Sequence, residues 1–440
     1  MEQKNAVLVA FSSYELKKFI SANFWVAGTT VLKALTQLIA LKLIALHLGV
    51  EGIGVFGQAA SCVVALNSLF SSGLLNFTVS EISKNEVHPD EQKKIFSVIG
   101  FWILFAQVFF LCVAALFAEN LSQYVFGTDA YKWFFYTLAG LSIFFNLHSV
   151  STGLLSASGK IKDIFKAHFA AFFTTTILLL IVVKSYNIGV PFVAAFLVLV
   201  SQSIWLLFFL IKTGQTKITF FKPAIERLYI FKILKFSMIM IVTGLLSMVF
   251  QIYMRNEILK IPSHGWSDVG SWQAILKVSE ITMSFLGLSI MTSYFPQISR
   301  ISSVSEIKVF ISRFAVKFGL LIFSAISVLM LLAELVLRVI YDKSFADLSS
   351  LLRLQLLGDV FKLSSWLFTY FFLAKLPLFL FLFYEVVTLA SLTVLSIALK
   401  EPYGVNGLIY AHVINSVLFF VIGFIFLQIT LKNSEKWFRK

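Results

Sequence analysis

The chain consists mainly of apolar runs of about 20 residues that recur along its whole length, separated by short polar segments. A helix of that length spans the hydrocarbon core of a bilayer, which is about 30 Å thick. Because backbone N–H and C=O groups find no water in lipid, only helices and closed barrels can cross it. Runs such as 101–118 and 417–427 lack the polar–apolar alternation of barrel strands. The sequence therefore predicts an all-α polytopic membrane protein.

The apolar runs predict about twelve transmembrane helices, and the first of them is expected to act as an uncleaved signal anchor. The predicted spans lie near residues 19–46, 55–83, 95–117, 132–156, 163–184, 190–211, 229–255, 267–296, 309–333, 346–374, 377–398 and 406–430.

The distribution of basic residues tests this count, because Lys and Arg concentrate in cytoplasmic loops. Of the 36 Lys and Arg residues, 24 fall in the N-terminal segment, the even-numbered connections and the C-terminal tail, and only seven in the odd-numbered connections and their flanks. We therefore expect both termini in the cytoplasm. This topology also accounts for most of the net charge of +14, so the charge is not taken as a sign of nucleic-acid binding.

The chain is predicted to contain two six-helix lobes. The longest basic connection separates an N-terminal lobe (1–211) from a C-terminal lobe (229–440), with a cytoplasmic linker at 212–228. Span two opens with GVFGQ at 54–58, and span eight opens with the similar GSWQ at 270–273. An even number of spans in each half makes this a parallel repeat, with its pseudo-twofold axis along the membrane normal. Transporters built from repeats commonly bind substrate between them.

Five basic residues fall inside predicted spans, where a charge costs about 3 kcal/mol or more. We expect them to face a cavity or a partner. They are Lys33, Lys42, Lys277, Arg353 and Lys362. Lys33 and Lys42 lie on opposite faces of span one, so a straight helix cannot direct both to one site, and Lys42 is the better candidate for snorkelling to the interface.

Acidic residues accompany two of these cations. Lys277 and Glu280 share one face of span eight, and Asp359 and Lys362 share one face of span ten. Each pair is either a self-neutralising ion pair or part of a polar lining that binds a charged substrate or relays an ion. Arg255 and Glu257, at the outer end of span seven, are either interfacial anchors or cavity groups, whereas His148 and His412 are interpreted as hydrogen-bonded core residues rather than ligands.

The sequence contains no complete ATP-binding motif, and its predicted outer loops are short. The remaining energy sources are an ion gradient, the membrane potential and the gradient of the substrate itself. An enzyme that acts within the membrane, such as a polysaccharide polymerase, would usually carry a large outer loop. Transport without a cofactor is therefore favoured, and cations inside the spans favour an anionic substrate.

Several segments resemble the Wzx-type lipid-linked oligosaccharide flippases, the polysaccharide transporter family of the multidrug/oligosaccharidyl-lipid/polysaccharide (MOP) exporter superfamily. The similar segments are 48–58, 268–280, 294–299, 357–362 and 365–368. The resemblance covers essentially the whole chain, and the flippases of enterobacterial common antigen and O-antigen resemble it most.

This resemblance implies a MATE-like fold in which spans one, two, seven and eight line a central cavity. It implies alternating-access transport of an undecaprenyl-diphosphate-linked glycan from the cytoplasmic to the periplasmic leaflet of a bacterial inner membrane, in contact with a polysaccharide polymerase and a chain-length regulator. The implied substrate-binding residues are Lys33, Lys42, Arg255 and Lys277. Glu280, Asp359 and Lys362 are candidates for coupling to H+ or Na+, or for structural pairs.

Two alternative functions remain at this stage. A cation-coupled multidrug exporter of the same superfamily shares the architecture, but its cavity should favour acidic residues over Lys33 and Lys277. A polysaccharide polymerase is disfavoured by the short outer loops.

Overall fold

The computed structural model describes residues 13–84, 89–184, 189–214 and 225–432, and every regular element in those ranges is helical. Short 3-10 turns at Asp129–Tyr131 and Lys343–Leu348 precede α3 and α12. The helices are α1 (Ser13–Lys84), α2 (Pro89–Phe126), α3 (Lys132–Ala157), α4 (Ile161–Val183), α5 (Val190–Lys212), α6 (Arg227–Met240), α7 (Leu246–Leu259), α8 (Trp266–Ser289), α9 (Phe295–Arg300), α10 (Val304–Leu331), α11 (Ala333–Ile340), α12 (Ser349–Lys375), α13 (Leu378–Tyr403) and α14 (Val405–Lys432).

Helix α1 contains the first two predicted spans. Its 72 residues would extend over roughly 108 Å as one helix, far more than a bilayer requires. The helix breaks at Gly49, whose backbone (φ 63°, ψ −156°) lies in a region that glycine enters without steric cost. In the described ranges eleven continuous helical segments are long and apolar enough to cross a membrane. Dividing α1 at Gly49 turns these eleven into the twelve predicted crossings, which confirms the all-α polytopic fold.

Two of the crossings contain a π-helical turn. The turn Ile241–Leu245 joins α6 to α7 within span seven, and Ile290–Tyr294 joins α8 to α9 within span eight. Such turns widen an α-helix locally and occur frequently at functional sites. Here each of them lies on a span that borders the space between the two halves of the molecule.

The helices α1–α5 form the N-terminal half, in which α1 packs against α3, α4 and α5. The helices α6–α14 form the C-terminal half, in which α14 packs against α12 and α13. Residues 215–224 of the predicted linker lie outside the described ranges, and the lobe boundaries stay a prediction. We call the end of the bundle that contains Gly49 the Gly49 end, and the opposite end, where α14 finishes at Lys432, the terminal end.

The two halves approach each other closely at the Gly49 end. A Cβ atom on Gly270 of α8 would lie 1.9 Å from the carbonyl oxygen of Val50, and one on Gly54 would lie 2.6 Å from the carbonyl oxygen of Trp266. Only residues without a side chain permit backbones to come so close. The two similar segments noted in the sequence, 54–58 and 270–273, therefore pack directly against each other.

Helices α1 and α8 have different neighbours toward the terminal end. Trp25 of α1 packs on Phe165 of α4, with ring centroids 4.9 Å apart. Continuing from α8, Phe295 of α9 packs on Tyr370 of α12, with ring centroids 5.7 Å apart. Toward the terminal end, α1 therefore packs within the N-terminal half, and α9, which continues α8, packs within the C-terminal half. The halves meet at the Gly49 end and diverge along the side formed by α1 and α8.

The other side of the interface is joined along its length. The second part of α1 packs on α6 and α7, from an ion pair between Lys232 Nζ and Glu81 Oε2 (2.7 Å) at the terminal end to a hydrogen bond from Ser61 to Gln251 (3.5 Å) nearer the Gly49 end. Contact on one side and divergence on the other leave a cavity between the halves.

Candidate substrate cavity

A cavity of about 570 Å³ lies between the halves, with walls from α1, α7, α8, α12, α13 and α14. A second cavity of about 460 Å³ shares Thr243, Lys362, Trp366 and His412 with it and extends through the C-terminal half as far as Leu373, near the terminal end. The polar wall of the first cavity includes Ser61, Gln251, Gln273, Lys277, Glu280 and Lys362.

Lys277 and Glu280 form an ion pair on the cavity wall. Lys277 Nζ donates to Glu280 Oε2 at 2.8 Å, and Gln251 Nε2 of α7 donates to Glu280 Oε1 at 3.1 Å. The side chains of Lys277 and Glu280 are 16% and 37% exposed. The two interpretations offered for this pair are therefore compatible, since the groups neutralise each other and also line the cavity.

Arg255 lies behind that wall and is completely buried. Its guanidinium donates to Ser61 Oγ (2.8 Å), Gln251 Oε1 (3.0 Å) and Gln58 Oε1 (3.2 Å). It also donates to Gln273 Oε1 and lies 5.7 Å from the ring of Trp272. All of its hydrogen-bond acceptors are neutral and they come from α1, α7 and α8. Because a buried cation is costly to leave unpaired, Arg255 holds the cavity-wall side chains of three helices in place.

The four acceptors of Arg255 were not singled out from the sequence. Neutral polar residues are common in membrane helices, and nothing in a single sequence pairs them with a distant arginine. The one available signal was that Gln58 and Gln273 occupy matching positions in the two similar segments.

Span ten also lines the cavity, which corrects the expected lining by spans one, two, seven and eight. The lining residues come from spans two, seven, eight, ten, eleven and twelve. Span one contributes none of the described lining residues. Lys362 of span ten borders both cavities.

Asp359 and Lys362 do not form the ion pair that their spacing allowed, within the described parts of the chain. The fully buried Asp359 instead accepts a hydrogen bond from His412 Nε2 of α14 at 3.0 Å. The interpretation of His412 as a hydrogen-bonded core residue is thus confirmed, although His412 also touches both cavities. Lys362 is left as an exposed cation inside the cavity, with Glu385 on the wall of the second cavity.

Lys33 and Lys42 lie away from this cavity. Lys42 Nζ donates to the carbonyl oxygens of Tyr341 (2.5 Å) and Arg338 (3.2 Å). It thereby provides a hydrogen-bond donor and a positive charge at the C-terminal end of α11, at the Gly49 end of the bundle. Lys33 lines neither cavity; it belongs to α1, which packs against α3 and α4, and its charge acts on His148 and His168. As expected for opposite faces of one helix, the two lysines do not share a site.

Glu257, at the Gly49 end of α7, accepts hydrogen bonds from Lys400 of α13 and from Lys260 Nζ (2.5 Å). The hydrogen bond that Lys260 donates to Glu257 raises the pKa of Lys260, so this amine stays charged. These contacts favour an anchoring role for Glu257. Neighbouring Asn256 donates to the carbonyl oxygen of Tyr124 (2.5 Å) and accepts from Gln58 (3.0 Å), which ties the halves together at this end.

Sequence comparison identifies the protein family to which the chain belongs. Residues 21–302 match the family described as Polysaccharide biosynthesis protein, which is more than half of the chain. The chain belongs to this family. It is 24% identical over 417 residues to the Lipid III flippase of Escherichia coli (strain K12), covering 91% of this chain and 95% of the relative. The Lipid III flippase of Shigella flexneri matches with the same identity and coverage.

Solved structures show the same fold at low sequence identity. An inward-facing multidrug resistance MATE family transporter of the MOP superfamily superimposes with a TM-score of 0.70 at 12% identity, covering 93% of this chain and 96% of that one. The lipid II flippase MurJ in an inward closed conformation also gives 0.70, at 15% identity, with coverage of 93% and 87%. The predicted MOP-like polytopic fold is thereby confirmed.

Proposed function

We propose that this protein is a flippase that moves an undecaprenyl-diphosphate-linked oligosaccharide from the cytoplasmic to the periplasmic leaflet of a bacterial inner membrane. The observation that carries the proposal is the cavity between the halves, which places the cations Lys277 and Lys362 among hydroxyl and amide side chains. The family match and the similarity to the Lipid III flippases support it. Enterobacterial common antigen or O-antigen is the proposed glycan class.

The chemistry of the cavity suits each part of this substrate. A diphosphate is bound through charge-assisted hydrogen bonds from cations, and Lys362 has no described ion-pair partner to compete with it. Hydroxyl and amide groups on the wall, such as the Ser247 hydroxyl and the Gln273 amide nitrogen, can exchange hydrogen bonds with sugar hydroxyls. The divergence of α1 and α8 toward the terminal end leaves a lateral path through which the polyprenyl chain can remain in lipid.

The proposed mechanism is alternating access of the two halves. The basic residues favour the terminal end as the cytoplasmic side, with both termini there. The contact between Gly54 and Gly270 then closes the periplasmic side, and the structure represents a state that receives substrate from the cytoplasm. A polysaccharide polymerase and a chain-length regulator, which would act on the delivered glycan, are the proposed partners.

A cation-coupled multidrug exporter is the second candidate, favoured by Asp359 and Glu385 in the C-terminal half and by the MATE-like fold. Its cavity should attract cationic drugs, whereas Lys277 and Lys362 repel them. The polymerase alternative loses support because the family fold is that of transporters.

Genetic complementation tests the proposal directly. The chain is expressed in strains that each lack one flippase, and surface glycan and accumulated lipid-linked intermediate are both measured. Restored glycan together with loss of the intermediate is the expected result, and it would name an accepted substrate. No restoration in any strain despite membrane expression, combined with drug efflux, would favour the exporter instead.

We also propose that Asp359 and His412 couple transport to an H+ or Na+ gradient. Asp359→Asn keeps the size of the side chain and removes its charge, so transport by the variant should no longer respond to the gradient. Reconstituted vesicles with an imposed gradient of either ion measure this response. The control is Glu401→Gln, an exposed carboxylate at the Gly49 end, which should behave like the native protein. A gradient response retained in Asp359→Asn would contradict the coupling role.

A further inference from the structure

Three basic side chains lie together inside the N-terminal half, away from the cavity described above. The rings of His148 on α3 and His168 on α4 have centroids 5.9 Å apart. Lys33 on α1 lies close enough to act electrostatically on both imidazoles. Since α1 packs against both α3 and α4, the three groups converge from three helices.

The described residues leave this cluster without acceptors. Both ring nitrogens of His168, a residue only 2% exposed, have no hydrogen-bond partner, and neither does Nδ1 of His148. No ion pair to Lys33 occurs in the described ranges, and the charged groups that act on His168 are Lys33 and His148. The interpretation of His148 as a hydrogen-bonded core residue is therefore not supported at Nδ1.

Buried polar groups without partners are costly, and an unpaired buried cation is costlier. Other buried polar side chains reduce that cost through hydrogen bonds, as the two terminal nitrogens of Arg255 do with four acceptors. The Lys33 cluster holds an ammonium group and two imidazoles that can each donate hydrogen bonds. The side chains of Lys33 and His148 are half-buried, whereas His168 is buried.

We propose that Lys33, His148 and His168 form a binding site for a phosphate-type oxyanion within the N-terminal half. An oxyanion presents several acceptor oxygens in different directions, which matches donors that arrive from three helices. A halide would offer a single centre and no directional oxygens. The site depends on the proposed flippase function only for the source of the anion, which would be the diphosphate of the lipid-linked substrate.

This assignment gives the anionic group two places to bind, one in each half of the protein. The Lys33 site belongs to α1, α3 and α4, whereas Lys277 and Lys362 belong to α8 and α12. An alternating-access movement changes the position of one half relative to the other. The diphosphate can therefore remain with one half while the glycan contacts the other.

Binding of inorganic pyrophosphate to the purified full-length chain in nanodiscs, measured by isothermal titration at constant ionic strength, tests the proposal. We expect saturable binding that weakens about tenfold or more in Lys33→Gln and in His168→Gln, because each substitution removes a charge-assisted contact. His47→Gln is the matched control, since His47 lies at the Gly49 end and bonds the carbonyl oxygen of Leu43. Lys33→Arg should retain binding.

Two further measurements keep the result unambiguous. In native protein with 15N-labelled histidine, pyrophosphate should shift the imidazole signals of two of the six histidines, which needs no variant. Farnesyl diphosphate should bind with the same dependence on Lys33 if a lipid-linked anion is the ligand, whereas binding of pyrophosphate alone would indicate a soluble anion.

Native protein that binds neither probe, or variants that bind them with native affinity, would overturn the site. Failure of the complementation experiment with these binding results intact would instead overturn the flippase function alone.

Discussion

Replacing Gly270 with valine is expected to abolish transport and to lower the melting temperature of the protein more than any substitution in the cavity wall. A Cβ atom at this position would meet the carbonyl oxygen of Val50 at 1.9 Å. That oxygen belongs to backbone beside the break at Gly49 and cannot rotate away as a flexible side chain can. The helices α1 and α8 must therefore separate at the Gly49 end.

Overpacking of a well-packed interface typically costs about 1–3 kcal/mol, and a clash with backbone belongs at the upper end of that range. Because this contact closes the cavity at the Gly49 end, the variant loses both stability and the closed state. Melting temperature in detergent and complementation by glycan synthesis measure the two effects separately.

Gly140→Ala is the matched control for this substitution. Gly140 lies within α3 and its missing Cβ would meet nothing within 4 Å. Alanine at that position should stabilise the helix by about 0.5–1 kcal/mol and leave transport unchanged. A Gly270→Val protein with native melting temperature and full complementation would show that the close approach of the two glycines is dispensable.

The sequence was sufficient to predict the twelve crossings and the all-α polytopic fold, because the length of an apolar run and the positions of its flanking charges report directly on the bilayer. The two similar segments, 54–58 and 270–273, also pointed to a place where the halves meet. The sequence did not identify Gly49 as the point where α1 breaks. The gap between the first two predicted spans nevertheless separated the two crossings correctly.

The orientation of the helices about their axes could not be predicted. A helix that is apolar all round carries no polar face to show which side meets lipid and which meets the cavity. Lys33 was accordingly assigned to the central cavity and lies near His148 and His168 instead. Arg255 was assigned to the substrate, and its acceptors are four neutral side chains of distant segments. Lys362, a candidate for ion coupling or a structural pair, lines both cavities.

A further large loss of transport is expected when the cavity cations are removed. Lys277→Gln and Lys362→Gln should each reduce flipping about tenfold or more, because each contact with a diphosphate oxygen is a charge-assisted hydrogen bond worth about 1.5–3 kcal/mol. The double variant should fall to the level of cells that lack the protein. The ratio of accumulated lipid-linked intermediate to surface glycan, normalised to the amount of protein in the membrane, measures the loss.

The matched control for these variants is Lys317→Gln, an exposed lysine of α10 outside the cavity. It removes the same charge and should transport normally. Full activity in the Lys277→Gln/Lys362→Gln double variant would exclude both lysines as substrate ligands and, with them, the observation that carries the flippase proposal.

Lys277 has a second role that must be separated from substrate binding, since its removal leaves Glu280 with Gln251 as its only described hydrogen-bond donor. An unpaired carboxylate on the cavity wall would itself repel a diphosphate. Lys277→Gln/Glu280→Gln removes both charges, and the comparison of the double with the single variants isolates their coupling. If transport stays low in the Lys277→Gln/Glu280→Gln variant, the loss is due to Lys277 as a substrate ligand. If transport recovers in that variant, the loss in Lys277→Gln is due to the unpaired charge of Glu280.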